Sequence, residues 1–181
     1  AALWTVNALQ QSDSVLSEKL MDKVVLISGA SGGMIGAAYY RELIHQKHQG
    51  KSIPSNKEQL NRIARDNLNA VVFSLLVNDA FFRVRKYDYA GKRYVKDRGY
   101  VFEQNLNKNL NGVLDKQLKD YYSAEKNAEI PLMLMSPVIS NDGRSLYISP
   151  LGMSFLNIKE PKDQFGEGKI RGVGYSELFQ E

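Results

Sequence analysis

Gly29-Ala30-Ser31-Gly32-Gly33 fits the pattern G-x-S-x-G, in which a serine can act as a nucleophile. Such a serine is reactive when a strand delivers it onto a sharp turn that opens directly into a helix. The turn strains the backbone at the serine, so small neighbours are expected on both sides, and Gly29 and Gly33 supply them. A helix starting near Gly32 would aim its free N–H groups and positive dipole end at the turn. The Gly32 N–H would then hold a developing oxyanion, a role typically worth ~3–4 kcal/mol per donor. The same residues could also form a plain strand-to-helix turn whose serine only caps the helix.

A nucleophilic serine needs a base. The two histidines are His45 and His48. If one helix runs from Gly32 to His48, His45 stands ~21 Å along its axis from Ser31, too far to take the proton. The i, i+3 spacing of the pair would suit a metal, but no further His or Cys completes a shell, so no metal site is expected. The base is therefore a carboxylate or lies outside this chain.

The elements that must position Ser31 follow from hydrophobic spacing. Lys23 to Ser28 (KVVLIS) is a compact β-branched run that reads as a buried, central, parallel strand. Met34 to His48 reads as a helix that Gly50 finishes. Ahead of the strand, Ala2, Leu3, Val6 and Leu9 predict an amphipathic helix broken at Ser12-Asp13-Ser14, then a short helical piece with Val15, Leu16 and Leu20. Ser55 and Glu58 form a capping box for a helix through Leu60, Ile63, Ala64 and Leu68, its pattern continuing toward Phe82 with a break near Asn67 or Asn78. Tyr100 to Lys119 again has helical spacing. Pro131 to Ile139 and Leu146 to Ser149 read as strands around a turn at Asn141 to Arg144, and residues 157–181 as loop. Strand, tight turn and helix at 23–48 place the chain in the α/β class.

The run VVLISGASGGMIGAAYYREL (24–43) resembles the nucleophile segment of patatin-like phospholipases, especially a group of large bacterial members. DRGYVFEQNL (97–106), NGVLDK (111–116) and SPVISNDGR (136–144) are similar to the same group, so the resemblance covers most of residues 1–150. It implies a three-layer α/β/α domain with a central, mostly parallel sheet, of which 1–181 would be one partial catalytic domain. It implies a Ser–Asp dyad without histidine, no cofactor, and a lipid or other acyl ester as substrate. The family has a glycine-rich oxyanion loop just before the helix that AALWTVNALQ would form, so that loop is expected ahead of Ala1. The family aspartate sits in D-G-G or D-G-A. Asp142-Gly143-Arg144 departs from this at its third position, and its surroundings read as an ordinary hairpin turn. The expectation is a base beyond Glu181 and a fragment inactive alone.

A rival reading takes ISGASGGMIG as the glycine loop of short-chain dehydrogenases, with Tyr122 and Lys126 as their Y-x-x-x-K, and implies an NAD(P)-dependent oxidoreductase. Glycines 29, 33 and 36 miss G-x-x-x-G-x-G by one residue, Met34, and a turn that cradles a pyrophosphate tolerates insertion poorly. Tyr122 and Lys126 also sit in a polar stretch that reads as a solvated helix end.

Residues 81–100 interleave aromatics with Arg83, Arg85, Lys86, Lys92, Arg93, Lys96 and Arg98. Such a segment suits a solvated hairpin around Ala90-Gly91, a peripheral contact with a membrane surface, or, in a non-enzymatic binding module, single-stranded nucleic acid. The expectation is membrane surface over nucleic acid, because the implied substrate lives there. The hydrophobic and charged fractions, 43% and 24%, are those of a globular protein, and no apolar run nears the roughly 18–20 residues that span a bilayer. The chain has no cysteine, which excludes disulfides and leaves the compartment unread.

Overall fold

The computed structural model describes residues 1–17, 19–76, 86–89, 91–141, 143–152 and 172–175. Its mixed helices and strands, with small parallel sheets, fit the α/β class. The chain divides into two compact units, one of residues 1–56 and 116–181, the other of 57–115.

The first unit opens with α1 (Ala2–Val15), α2 (Leu20–Lys23), β1 (Leu26–Gly29) and α3 (Ser31–His48). Helix α1 runs through Ser12-Asp13-Ser14 instead of breaking there, and its buried stripe is Val6, Gln10 and Asp13. Leu3, expected inside, is exposed. Two polar residues can occupy that stripe because each has a distant partner. Gln10 Nε2 donates to the Asn56 carbonyl at 3.1 Å. Asp13 accepts from the Leu20 N–H at 2.8 Å and from Tyr40 Oη at 2.6 Å. Its carboxylate therefore bonds across the fold rather than competing for its own backbone, and the helix survives. The Tyr40–Asp13 bond is buried and charge-assisted, so Tyr40→Phe is expected to cost about 1.5–3 kcal/mol in chemical denaturation.

Helix α3 buries nine of its residues, from Met34 to Ile44, and ends where Gly50 turns left-handed (φ 79°). Strand β1 begins three residues later than expected, since α2 extends to Lys23.

In the second unit, α4 (Asn56–Ile63) starts directly after Ser55, and a break at Arg65–Leu68 separates it from α5 (Asn69–Ser74). Asp66 Oδ1 makes that break by accepting from the Leu68 and Asn69 N–H groups, which holds its carboxyl below the ordinary range. Strands β2 (Lys86–Tyr89) and β3 (Lys92–Val95) form the antiparallel hairpin, with Gly91 at φ 78°. Asp97 caps α6 (Arg98–Asn109) by accepting from the Tyr100 N–H at 2.9 Å. The helix expected to reach Lys119 stops here because Asn111 and Gly112 turn left-handed (φ 54° and 73°). Leu110 and Val113, which continued the apolar spacing, are buried beyond the helix end.

The chain then returns to the first unit through a 3-10 turn (Leu118–Tyr121), α7 (Tyr122–Lys126), β4 (Leu132–Met135), β5 (Ser145–Tyr147) and β6 (Gly172–Gly174). β4 pairs with β1 in parallel, Leu26 opposite Leu132 through Gly29 opposite Met135. Among the described residues β4 is β1's sole strand partner, so β1 is half exposed rather than buried, with Val25 76% and Leu26 49% exposed. The segment after β4 folds back antiparallel, bridging Met135 to Ile148 and Val138 to Ser145 around a turn at Gly143 (φ 75°). β6, in a region expected to be loop, pairs with β5 in parallel. Residues 157–171 and 176–181 lie outside the described set. Met34, Ala37 and Met133, with Leu9, Ile27, Ala38 and Met135 packed around them, form the core where α1 and α3 cover β1 and β4.

Candidate active site

β1 ends at Gly29, Ala30 is extended (φ −143°, ψ 171°), and Ser31, the first residue of α3, takes φ +58°. A left-handed backbone at a non-glycine residue costs of order 1–3 kcal/mol and persists only where its surroundings impose it. Here the imposing elements are the β1–β4 ladder, closed by the Gly29 carbonyl accepting from the Ser136 N–H at 2.9 Å, and the buried helix α3. Ser31 is exposed.

The glycines around it differ in what they permit. A Cβ on Gly29 would meet only Met34 Sδ at 3.9 Å, and one on Gly33 only Thr5 Oγ1 at 3.5 Å, both ordinary contacts. Neither is forced to be glycine by crowding at Cβ, contrary to the expectation from the motif. The crowded position is Gly36, one turn into α3, where a Cβ would lie 2.5 Å from the Ala2 carbonyl oxygen. Gly36 therefore seats the first turn of α1 against α3. As a result Ala1 and Ala2 lie against the elbow: from a Cβ on Gly32, Ala1 Cβ would be 3.4 Å away and the Ala2 nitrogen 3.7 Å. Gly36, Ala2 and Thr5 are the contributors that motif reading missed. The one sequence trace of them was the run of small residues at Gly32, Gly33 and Gly36.

Two helix N-termini thus meet beside Ser31. That of α3 has no side-chain cap and no acidic residue in its first turn. Its first N–H groups and positive dipole end favour an anion there. Directly adjoining is a cavity of about 310 Å³, walled by Gly29, Ala30 and Gly33 of the elbow and by Leu9, Met21, Ile27, Met34 and Ala37.

Among the described residues no base is hydrogen-bonded to Ser31. His45 faces Gln49 (2.9 Å), and burial lowers its pKa. His48 lies 3.6 Å from Asp22 Oδ1. Both stand at the far end of α3, and no group of metal-ligating side chains occurs among the described residues. Asp142 lies outside the described residues, although the turn around it closes as expected, with the Ile139 N–H donating to the Arg144 carbonyl at 2.8 Å. Tyr122 and Lys126 are exposed on α7, with Lys126 Nζ 5.6 Å from the Tyr122 ring centroid.

No family model, curated protein or solved structure matches this chain. The functional reading therefore rests on the elbow's own geometry.

Proposed function

We propose that the chain carries the nucleophile elbow of a serine acyl hydrolase acting on a lipid or other acyl ester, within a patatin-like α/β/α domain. The observation that carries this reading is the positive φ of Ser31 at the junction of β1 and α3. A capping serine needs no such strain, whereas an attacking serine gains from it an Oγ held out from the turn. In the proposed reaction an aspartate draws the proton from Ser31 Oγ, and Oγ attacks the ester carbonyl. The Gly32 N–H holds the oxyanion. The alcohol departs, and water releases the acid from the acyl-enzyme. Losing one such donor typically costs 10²–10³ in kcat. The adjoining cavity supports an acyl substrate. Its lining is mostly apolar, the setting an acyl chain needs.

Fluorophosphonate labelling of the natural full-length protein tests the reading. The expected adduct is on Ser31, located by mass spectrometry, and absent from Ser31→Ala and Ser31→Gly. Ser31→Gly is further expected to unfold no more easily than the wild type, because glycine relieves the left-handed strain. A full-length protein left unlabelled beside a serine hydrolase that labels would sink the proposal and direct the next assay to nicotinamide cofactor binding.

A further inference from the structure

The second unit carries an apolar stripe that its own core leaves unused. Leu68, Val72, Leu75 and Leu76 recur at i, i+4, i+7 and i+8 along α5 and its two flanks, the spacing of one helix face, and all four are exposed. Phe73 beside them is 65% exposed, while Ser74 faces inward and is buried. A run of large apolar side chains on the outside of a short helix marks a docking face.

Charge indicates what docks there. Residues 57–115 hold eleven Lys and Arg against seven Asp and Glu, whereas the remainder holds thirteen of each, so the whole net charge of +4 resides in this unit. The β2–β3 hairpin displays part of it: Lys86, Lys92 and Arg93 are exposed, Arg93 paired with Asp88 at 3.2 Å, next to exposed Tyr94 and Val95. Helix α6 joins hairpin and stripe. Tyr100 in its first turn lies 4.2 Å from the Tyr87 ring, and Asn105 and Asn109 hold the Asp66 carbonyl just ahead of α5. Apolar side chains for the acyl boundary, tyrosines for the headgroup level and cations for anionic lipid are the composition of an interfacial anchor.

We propose that the second unit docks on an anionic phospholipid surface, with the α5 stripe entering the acyl boundary and the hairpin's lysines and arginine meeting the headgroups. This inference does not depend on Ser31.

Co-sedimentation with vesicles of phosphatidylcholine, with and without an equal part of phosphatidylglycerol, tests it on the whole chain. The wild type should bind the anionic vesicles, and Ser31→Ala should bind equally well. Phe73→Ser with Leu76→Ser should weaken binding at least about tenfold. Lys86→Ser and Lys92→Ser should each weaken it about fivefold, with the difference shrinking as salt is raised. All five substituted side chains are exposed, and circular dichroism is the check that each variant folds. Equal binding to neutral vesicles, no binding at about 0.1 M salt, or unchanged binding by the Phe73/Leu76 variant would overturn the proposal. So would a self-associating wild type that ignores vesicles and is made monomeric by the same two substitutions.

Discussion

Arg41→Met is expected to lower stability by about 3–5 kcal/mol at neutral pH, the usual consequence of removing one partner from a buried ion pair. Arg41 lies on the inner face of α3, almost wholly buried, and one of its nitrogens donates both to Glu125 Oε1 at 2.6 Å and to the Pro131 carbonyl at 2.7 Å. Its guanidinium also lies 4.8 Å from the centroid of the Tyr121 ring. Glu125 and Pro131 belong to α7 and to the approach to β4. Arg41 therefore fastens the helix that opens with Ser31 to the strand that pairs with β1. Neighbouring Glu42, itself buried, makes a second tie, to Lys116 Nζ at 2.6 Å. Without Arg41, Glu125 would be a buried carboxylate lacking its cation.

The pH dependence has a definite sign. Burial raises the Glu125 pKa above its ordinary 4.5, and Arg41 opposes that rise. Removing Arg41 leaves the raising influence stronger. A carboxyl whose folded pKa is raised stabilises the fold most when both states are protonated, and that contribution is lost as pH climbs through the folded value. Arg41→Met should thus be least damaging near pH 4.5 and lose up to ~1.4 kcal/mol per pH unit above it, until Glu125 ionises. Denaturant titrations of both proteins across that range would show this, and a flat difference would refute it. Adding Glu125→Leu should recover most of the loss, because an apolar pair of similar volume avoids the desolvation penalty altogether.

This cluster also shows where sequence reading stops. The elbow was legible because its determinants are local: an apolar run, a glycine-bounded serine and a helical pattern within 26 residues, Lys23 to His48. The hairpin at Gly91 and the helix stop at Gly50 were legible for the same reason. Gln10, Asp13, Arg41, Glu42 and Glu125 are polar residues at core positions, and periodicity assigns such residues to the surface. Each has a partner 27 to 90 positions away, beyond any local window. The strand at Gly172–Gly174 was hidden for a related reason. A Cβ on Gly172 would lie 2.4 Å from the Tyr147 ring, so this glycine marks close packing, although in composition it looks like loop. Helix α6 misled in the opposite sense. Its apolar spacing runs on through Leu110 and Val113, but Asn111-Gly112 ends the helix while those side chains still go inside.

Gly36→Val is expected to damage both the fold and the elbow. Its Cβ would meet the Ala2 carbonyl oxygen at 2.5 Å and the Ala2 Cα and carbonyl carbon at 3.1 Å. These are backbone atoms and cannot rotate aside, so α1 must move away from α3. Such overpacking costs about 1–3 kcal/mol, and the better helix propensity of valine returns only a few tenths. Gly29→Ala is the control, since its Cβ would find only Met34 Sδ at 3.9 Å, and a loss below about 1 kcal/mol is expected there. The two substitutions separate crowding from motif membership: a larger loss at Gly29 than at Gly36 would contradict the packing described. If the acyl-transfer reading holds, Gly36→Val carries a second signature. Moving α1 takes Ala1 and Ala2 away from Gly32 and loosens the elbow, and a misplacement of about 1 Å can cost 10²-fold in rate. Fluorophosphonate labelling at Ser31 should then slow by about that factor in the fraction of protein that remains folded. Unchanged labelling in a folded Gly36→Val protein would show that the packing of α1 against α3 does not position the elbow, leaving the β1–β4 ladder to hold it alone.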